Sequence, residues 1–214
     1  MARITVIGGT GYAGSNLVEQ AAAAGHQVRS FSRTLPEHRV DGVDYVEGSI
    51  LDADVQGQAV TDTDVVVSAI SPRGEMAGRT RGAIGELAQR AESAGVRLGV
   101  VGGAGSLLVA PGGPTLASTP EFPAEVKAEA TEMGEVLDDL RASDDNLDWF
   151  LVSPAAGFGA WAPGEATGKF RIGDDILLVD ENGDSAISGP DLAKAIVDEI
   201  DNPQHRRRRF TVAY

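Results

Sequence analysis

Apolar residues recur along this chain with two alternating spacings. Short runs of strand length, rich in β-branched residues, occupy about 2–7, 27–32, 43–47, 64–70, 97–101 and 147–152. Between them lie the stretches 12–24, 53–60, 79–94 and 123–142, in which apolar positions return every three or four residues, as on a helix. The run Asp64-Val65-Val66-Val67-Ser68-Ala69-Ile70 is almost continuously apolar, as a central parallel strand covered on both faces requires. Gly25 and Gly95 stand where two of the helices stop. Asp52 is placed to cap 53–60, and Pro123 to open 123–142. Strands alternating with helices predict an α/β fold, a doubly wound parallel sheet with helices on both faces.

After 152 the alternation breaks. Lys169-Phe170-Arg171-Ile172, Ile176-Leu177-Leu178-Val179 and Ser185-Ala186-Ile187 are short strand-like pieces between Gly, Asp and Asn turns. They predict a small C-terminal satellite hairpin. With them, 154–188 reads as a substrate-side subdomain of one domain spanning 1–214. A last helix is expected at about 190–201. The stretch Phe210-Thr211-Val212-Ala213 reads as a half-exposed edge strand guarded by the arginines at 206–209.

The chemistry concentrates at the first strand-to-helix turn, Gly8-Gly9-Thr10-Gly11-Tyr12-Ala13-Gly14. A strand that turns sharply into a helix needs a residue tolerant of unusual backbone angles. A pyrophosphate approaching backbone N–H groups needs positions without Cβ, and the helix N-terminus offers free donors and a positive dipole end. With a strand before it and a helix and second strand after it, the pattern predicts dinucleotide binding. The second strand ends at Ser32-Arg33-Thr34, with no acidic residue to hold a ribose 2′-hydroxyl. Arg33 suits a 2′-phosphate instead, so NADP(H) is favoured and NAD(H) stays open. The glycine-rich turn 102–106 lies at the carboxyl edge of the fifth strand, where the ligand crevice of such sheets falls. The irregular stretch 109–123, with Pro111, Pro114, Pro120 and Pro123, reads as part of the substrate-side rim. Phe158 and Trp161 can wall a pocket or fold back on the core.

Composition narrows the classes. The chain of 214 residues has no cysteine, which excludes disulfides and thiol chemistry. Its three histidines are dispersed, so no metal site is expected. A net charge of −14 argues against nucleic-acid binding, whatever the four consecutive arginines suggest. No apolar run is long enough to span a membrane, so neither a membrane nor a nucleic acid is expected as partner, and the location expected is the cytoplasm. A small-molecule acceptor is the expected partner, with room for a homodimer. The arginine-, alanine- and glycine-rich composition, with three lysines against fifteen arginines, suggests a bacterial protein from a high-GC genome.

The glycine turn, Ser32-Arg33, the turn Val101-Gly102-Gly103-Ala104-Gly105-Ser106 and the ending Phe210-Thr211-Val212 resemble the atypical short-chain dehydrogenases/reductases over essentially the whole chain. The likeness is greatest to NAD(P)H-binding reductases related to flavin/biliverdin reductase and to the NmrA-like regulators. It implies a Rossmann-type domain in which Gly8, Thr10, Gly11, Tyr12, Ala13 and Gly14 cradle the pyrophosphate and Arg33 takes the 2′-phosphate. It also implies Ser49 and Ile50 at the adenine, Ala69 and Ile70 by the ribose, Gly102 and Gly103 near the nicotinamide ribose, and Pro154 and Ala155 against the nicotinamide. Relatives often carry Asp where Ser49 stands.

One departure bears on catalysis. Typical members use Tyr-x-x-x-Lys, the tyrosine donating a proton and the lysine lowering its pKa. Here Lys127 is present, but Pro123 stands four residues before it, and no tyrosine occurs between Tyr45 and Tyr214. Lys127 and Ser106, the only hydroxyl of the strand-five turn, are the candidate catalytic residues. Lys127 is read equally as a ribose ligand and as a solvated charge. Three functions follow: an NADP(H)-dependent oxidoreductase passing hydride to a flavin, quinone or similar acceptor without a tyrosine acid; a non-catalytic NAD(P)H-binding redox sensor; and an epimerase- or dehydratase-like enzyme.

Overall fold

The computed structural model describes residues 1–214. Its strands are β1 (Arg3–Ile7), β2 (Gln27–Ser32), β3 (Asp44–Glu47), β4 (Val65–Ser68), β5 (Arg97–Val101), β6 (Trp149–Pro154), β7 (Arg171–Gly173) and β8 (Arg208–Ala213). They form one sheet in the order β3-β2-β1-β4-β5-β6-β8-β7, parallel except where β7 runs against β8. The helices are α1 (Tyr12–Ala23), α2 (Ala53–Ala59), α3 (Thr80–Ala94), α4 (Lys127–Arg141) and α5 (Gly189–Asp201). The doubly wound α/β architecture is the one the hydrophobic pattern predicts.

Each face of the sheet buries its own core. Val6, Val67, Val152 and Phe210 pack against α1 and α5 on one face. Val66, Val100, Leu151 and Trp149 pack against α2, α3 and α4 on the other. The alternation of strand side chains distributes these residues, and burial on both faces is why β4 reads as nearly all valine. The helices end as their sequences direct. The Asp52 carboxylate accepts from the Asp54 amide, the Ser188 hydroxyl accepts from the Asp191 amide, and Gly95 closes α3 at φ +65°.

The C-terminal third is rearranged relative to its pattern. Of the three strand-like pieces, only β7 is regular. The antiparallel pairing expected there forms between β7 and β8, continuous with the main sheet. Strand β8 itself is not a half-exposed edge: it lies between β6 and β7, buried along residues 209–213. The arginines before and within it are stitches rather than gatekeepers. Arg206 pairs with Asp148, and Arg207 with Asp145 and with the carbonyls of Ser143 and Leu147. Arg209 is buried and pairs with Asp175.

At the amino end of the strands, Arg97 and Glu199 form a buried ion pair at 2.6 Å. His205 Nδ1 lies 2.7 Å from the same carboxylate. The Arg97 guanidinium lies 4.7 Å from the Phe150 ring centroid, and the Arg97 and Glu199 side chains are buried, with His205 at the rim.

Candidate functional site

The turn between β1 and α1 is held from below by β2. The Gly8 amide donates to the Phe31 carbonyl at 2.8 Å, and Gly8 adopts φ +84°. The turn tolerates almost no added bulk. A Cβ on Gly14 would lie 2.2 Å from the Gly8 oxygen, and one on Gly9 would lie 2.0 Å from Ser30 Oγ. The Thr10 amide is occupied by Ser32 Oγ at 3.1 Å, and the Gly11 amide by the Gly8 carbonyl at 3.0 Å. The first helical hydrogen bond runs from Ser15 to Gly11, and no side chain caps the helix. The amides of Tyr12, Ala13 and Gly14 therefore have no partner, which is the donor set an anion takes at a helix N-terminus.

The other positions expected at a cofactor line the same carboxyl edge. Ala69 and Ile70 lie directly under the turn, with Ile70 Cγ2 only 3.0 Å from where a Gly8 Cβ would be. Gly102 packs against Leu151, and Gly103 faces open space. Pro154 ends β6, whereas the Ala155 side chain is buried in the core beside Ile187. At β3 the placement is less open. The Ser49 hydroxyl accepts from the Leu51 amide at 3.3 Å, and the Ile50 side chain is buried among core residues. Arg33 leaves the end of β2 and reaches Glu75, which sequence reasoning missed, at 3.2 Å. Arg79 approaches the same carboxylate at 3.6 Å.

Ser106 and Lys127 lie elsewhere, in a cleft of about 560 Å³ between α4 and the chain that leaves β5. Ser106 Oγ accepts from Arg209 Nη1 at 2.8 Å. The irregular stretch expected as a rim forms part of the cleft wall through Thr115, Ala117 and Ser118. This wall is tied to the C-terminal segment, since the Leu108 amide donates to the Asp175 carbonyl and the Leu177 amide to the Leu108 carbonyl, each at 2.9 Å. Nothing in the sequence pairs Arg209 with Asp175 or Arg141, because the three meet only through the sheet order.

Two tyrosines gather at the start of α5. The Tyr12 hydroxyl donates to the Pro163 carbonyl at 3.2 Å and accepts from the Gly189 amide at 3.1 Å, and its ring packs at 5.3 Å on Phe158. Phe158 thus folds back on the body, while Trp161 is 73% exposed. The Tyr214 hydroxyl donates to Asp191 at 2.6 Å. Burial pushes its phenol up, and the hydrogen bond to ionised Asp191 adds to the rise. Burial would raise Asp191, but the bonds from Tyr214, Thr167 and Gly168 outweigh it and hold that carboxyl below its ordinary value. Tyr214 lies with α5 and Lys127 with α4, on opposite faces of the sheet.

No helix is long and apolar enough to cross a membrane, and no group of acidic, histidine or cysteine side chains is arranged to hold a metal.

Residues 8–203 match the NAD(P)H-binding family. The uncharacterized protein YwnB of Bacillus subtilis is 36% identical over 217 residues, spanning 98% of this chain and 97% of that one. Among solved structures, a proposed exported protein of Burkholderia pseudomallei is similar at 40% identity, with a TM-score of 0.88 and full coverage of both chains. A proposed NADH-flavin reductase of Streptococcus pneumoniae is similar at 30% identity and a TM-score of 0.88, covering 100% of this chain and 99% of that one.

Proposed function

The chain belongs to the NAD(P)H-binding family, and from that premise we propose that it is an NADP(H)-dependent reductase of small conjugated acceptors such as flavins or quinones. The observation that carries the reading is the trio of unpartnered amides at Tyr12, Ala13 and Gly14, behind a turn that leaves no room for a Cβ at Gly14. That donor set fits a pyrophosphate. Arg33 is the group for a 2′-phosphate, Ala69 and Ile70 flank a ribose, and Gly102, Gly103 and Pro154 give a second ribose and a nicotinamide a wall without bulky side chains.

A bound nicotinamide supplies hydride; the protein supplies position and dielectric. What this chain's residues do with the proton sets the acceptor class. No tyrosine precedes Lys127 at four residues, the Tyr12 hydroxyl is engaged at Pro163 and Gly189, and Tyr214 is on the other face. No phenol is therefore available as an acid beside Lys127. Acceptors that collect their proton from water once reduced are favoured over simple ketones. The same absence disfavours an epimerase or dehydratase, which depends on that acid.

The test is NADPH oxidation with free flavin and quinone acceptors, alongside NADPH and NADH titrations of the protein and of Arg33→Ala. Turnover with NADPH preferred over NADH is expected. Tight NADPH binding with oxidation no faster than in buffer would remove the reductase and leave a redox sensor.

A further inference from the structure

We propose that Arg79, at the start of α3, is a second ligand of the cofactor's 2′-phosphate, closing on it opposite Arg33, and that the Glu75 carboxylate holds the place of that phosphate until the cofactor arrives. The inference rests on the NADP(H) reading and goes beyond it in naming the second cation and the group it exchanges. Two guanidinium groups converge on one carboxylate. Arg33 Nη1 lies 3.2 Å from Glu75 Oε2, and Arg79 Nη1 lies 3.6 Å from Glu75 Oε1. Each arginine thus approaches a different oxygen of the same anion. Neither has another acidic partner, so the three side chains together carry one net positive charge. That excess stands in a chain of net charge −14.

The group stands beside the cofactor turn. Arg33 follows β2 and Glu75 follows β4, the two strands that flank β1. Ser32, which precedes Arg33, holds the Thr10 amide of the turn through its hydroxyl at 3.1 Å. Ile70, from which the chain runs on to Glu75 and Arg79, lies under Gly8. The backbone at Arg79 is held in place. Its amide donates to the Met76 carbonyl at 2.9 Å, and the amides of Gly78 and Arg81 donate to the Glu132 carboxylate at 2.8 and 3.0 Å. Glu132 thus takes the free amides at the start of α3, and the Arg79 side chain is left to reach outward. All three side chains of the cluster are more than half exposed, and exposed pairs of this kind contribute at most about 1 kcal/mol, so the contact opens readily. A phosphate monoester brings about two negative charges where Glu75 brings one, and its oxygens suit forked guanidinium donors. Two arginines on a dianion balance its charge; two arginines on one carboxylate do not.

NADPH and NADH differ only by that phosphate, so they are the probes. Binding is read by nucleotide fluorescence and needs no turnover. Arg79→Ala is expected to weaken NADPH about tenfold, the worth of one charge-assisted contact, and to leave NADH within about twofold. The NADH titration also reports that the variant is folded. Arg79→Lys, which keeps the charge and loses the fork, is expected to fall between the two. Arg33→Ala is expected to lower the preference for NADPH as Arg79→Ala does. A preference that survives either alanine substitution, or an Arg79→Ala variant that loses NADPH and NADH alike, would overturn the proposal. The two failures are separable. A wild-type protein that binds both cofactors equally would remove the NADP(H) reading together with this inference. A wild-type preference that vanishes in Arg33→Ala but persists in Arg79→Ala would leave that reading standing and remove Arg79 alone.

Discussion

The guanidinium of Arg33, at the end of β2, stands 3.2 Å from the carboxylate of Glu75, in the turn that follows β4. The one cation expected to attract a 2′-phosphate is therefore already engaged by an acid, which Arg79 also approaches. All three side chains are more than half exposed, so the pair is weak and exchangeable. Glu75→Gln is expected to tighten NADPH by up to about fivefold and to leave NADH unchanged, because only the former brings a charge to Arg33. Nucleotide fluorescence titrations read this directly. A Glu75→Gln variant that shifts both cofactors equally would mean that Arg33 and Glu75 lie outside the 2′ subsite.

Gly14→Ala is expected to cost about 1–3 kcal/mol and to abolish nucleotide binding, since the new Cβ meets backbone at Gly8 and Gly9, which has no side chain to move aside. Gly9→Ala should be milder and partly rescued by Ser30→Ala, because its clash is with the Ser30 hydroxyl, which has no hydrogen-bond partner to lose. Urea unfolding of the single and double variants measures the coupling. Additive losses would show that the two residues do not share one clash.

Acid should destabilise the fold through Glu199. Burial pushes this carboxyl up, but hydrogen bonds from Arg97 and from the amide and ring of His205 outweigh it and hold the group below its ordinary 4.5. A depressed carboxyl stabilises fully above its unfolded value and loses that contribution as pH falls through the folded one. Stability should thus be level in this respect above about pH 5 and decline below pH 4.5. Glu199→Ala should remove about 3–5 kcal/mol at pH 7 by leaving the Arg97 charge without its main partner, and should flatten the acid limb. An unaltered acid limb in thermal unfolding would exonerate Glu199.

Tyr214→Phe removes the donor to Asp191 and should cost about 1–3 kcal/mol, the worth of a hydrogen bond to a charged group. Faster amide exchange is expected at 165–168, where the Thr167 and Gly168 amides rest on the same carboxylate. Turnover, if Tyr214 supplies no proton, should stay within about twofold. A loss of kcat by a hundredfold or more, the scale of a lost acid, would make Tyr214 that acid after all.

The sequence by itself determined the layers and the turn. Alternating strand and helix periods are local properties of consecutive residues, and so are the glycines at 8, 9, 11 and 14, whose absent side chains are legible without knowing what would fill the space. The same holds for the Asp52 cap and for the missing tyrosine before Lys127. Where β8 sits was not legible: its pattern of apolar residues preceded by arginines suits an edge, and only pairing with both β6 and β7 makes it interior. The charged partners were equally hidden. Glu75 lies 42 residues from Arg33, Asp175 lies 34 from both Arg141 and Arg209, and Ser106 lies 103 from Arg209. A charge's environment depends on which distant side chains the sheet order brings within a few ångströms. Periodicity reports which face a residue occupies, and tertiary structure alone decides what faces it.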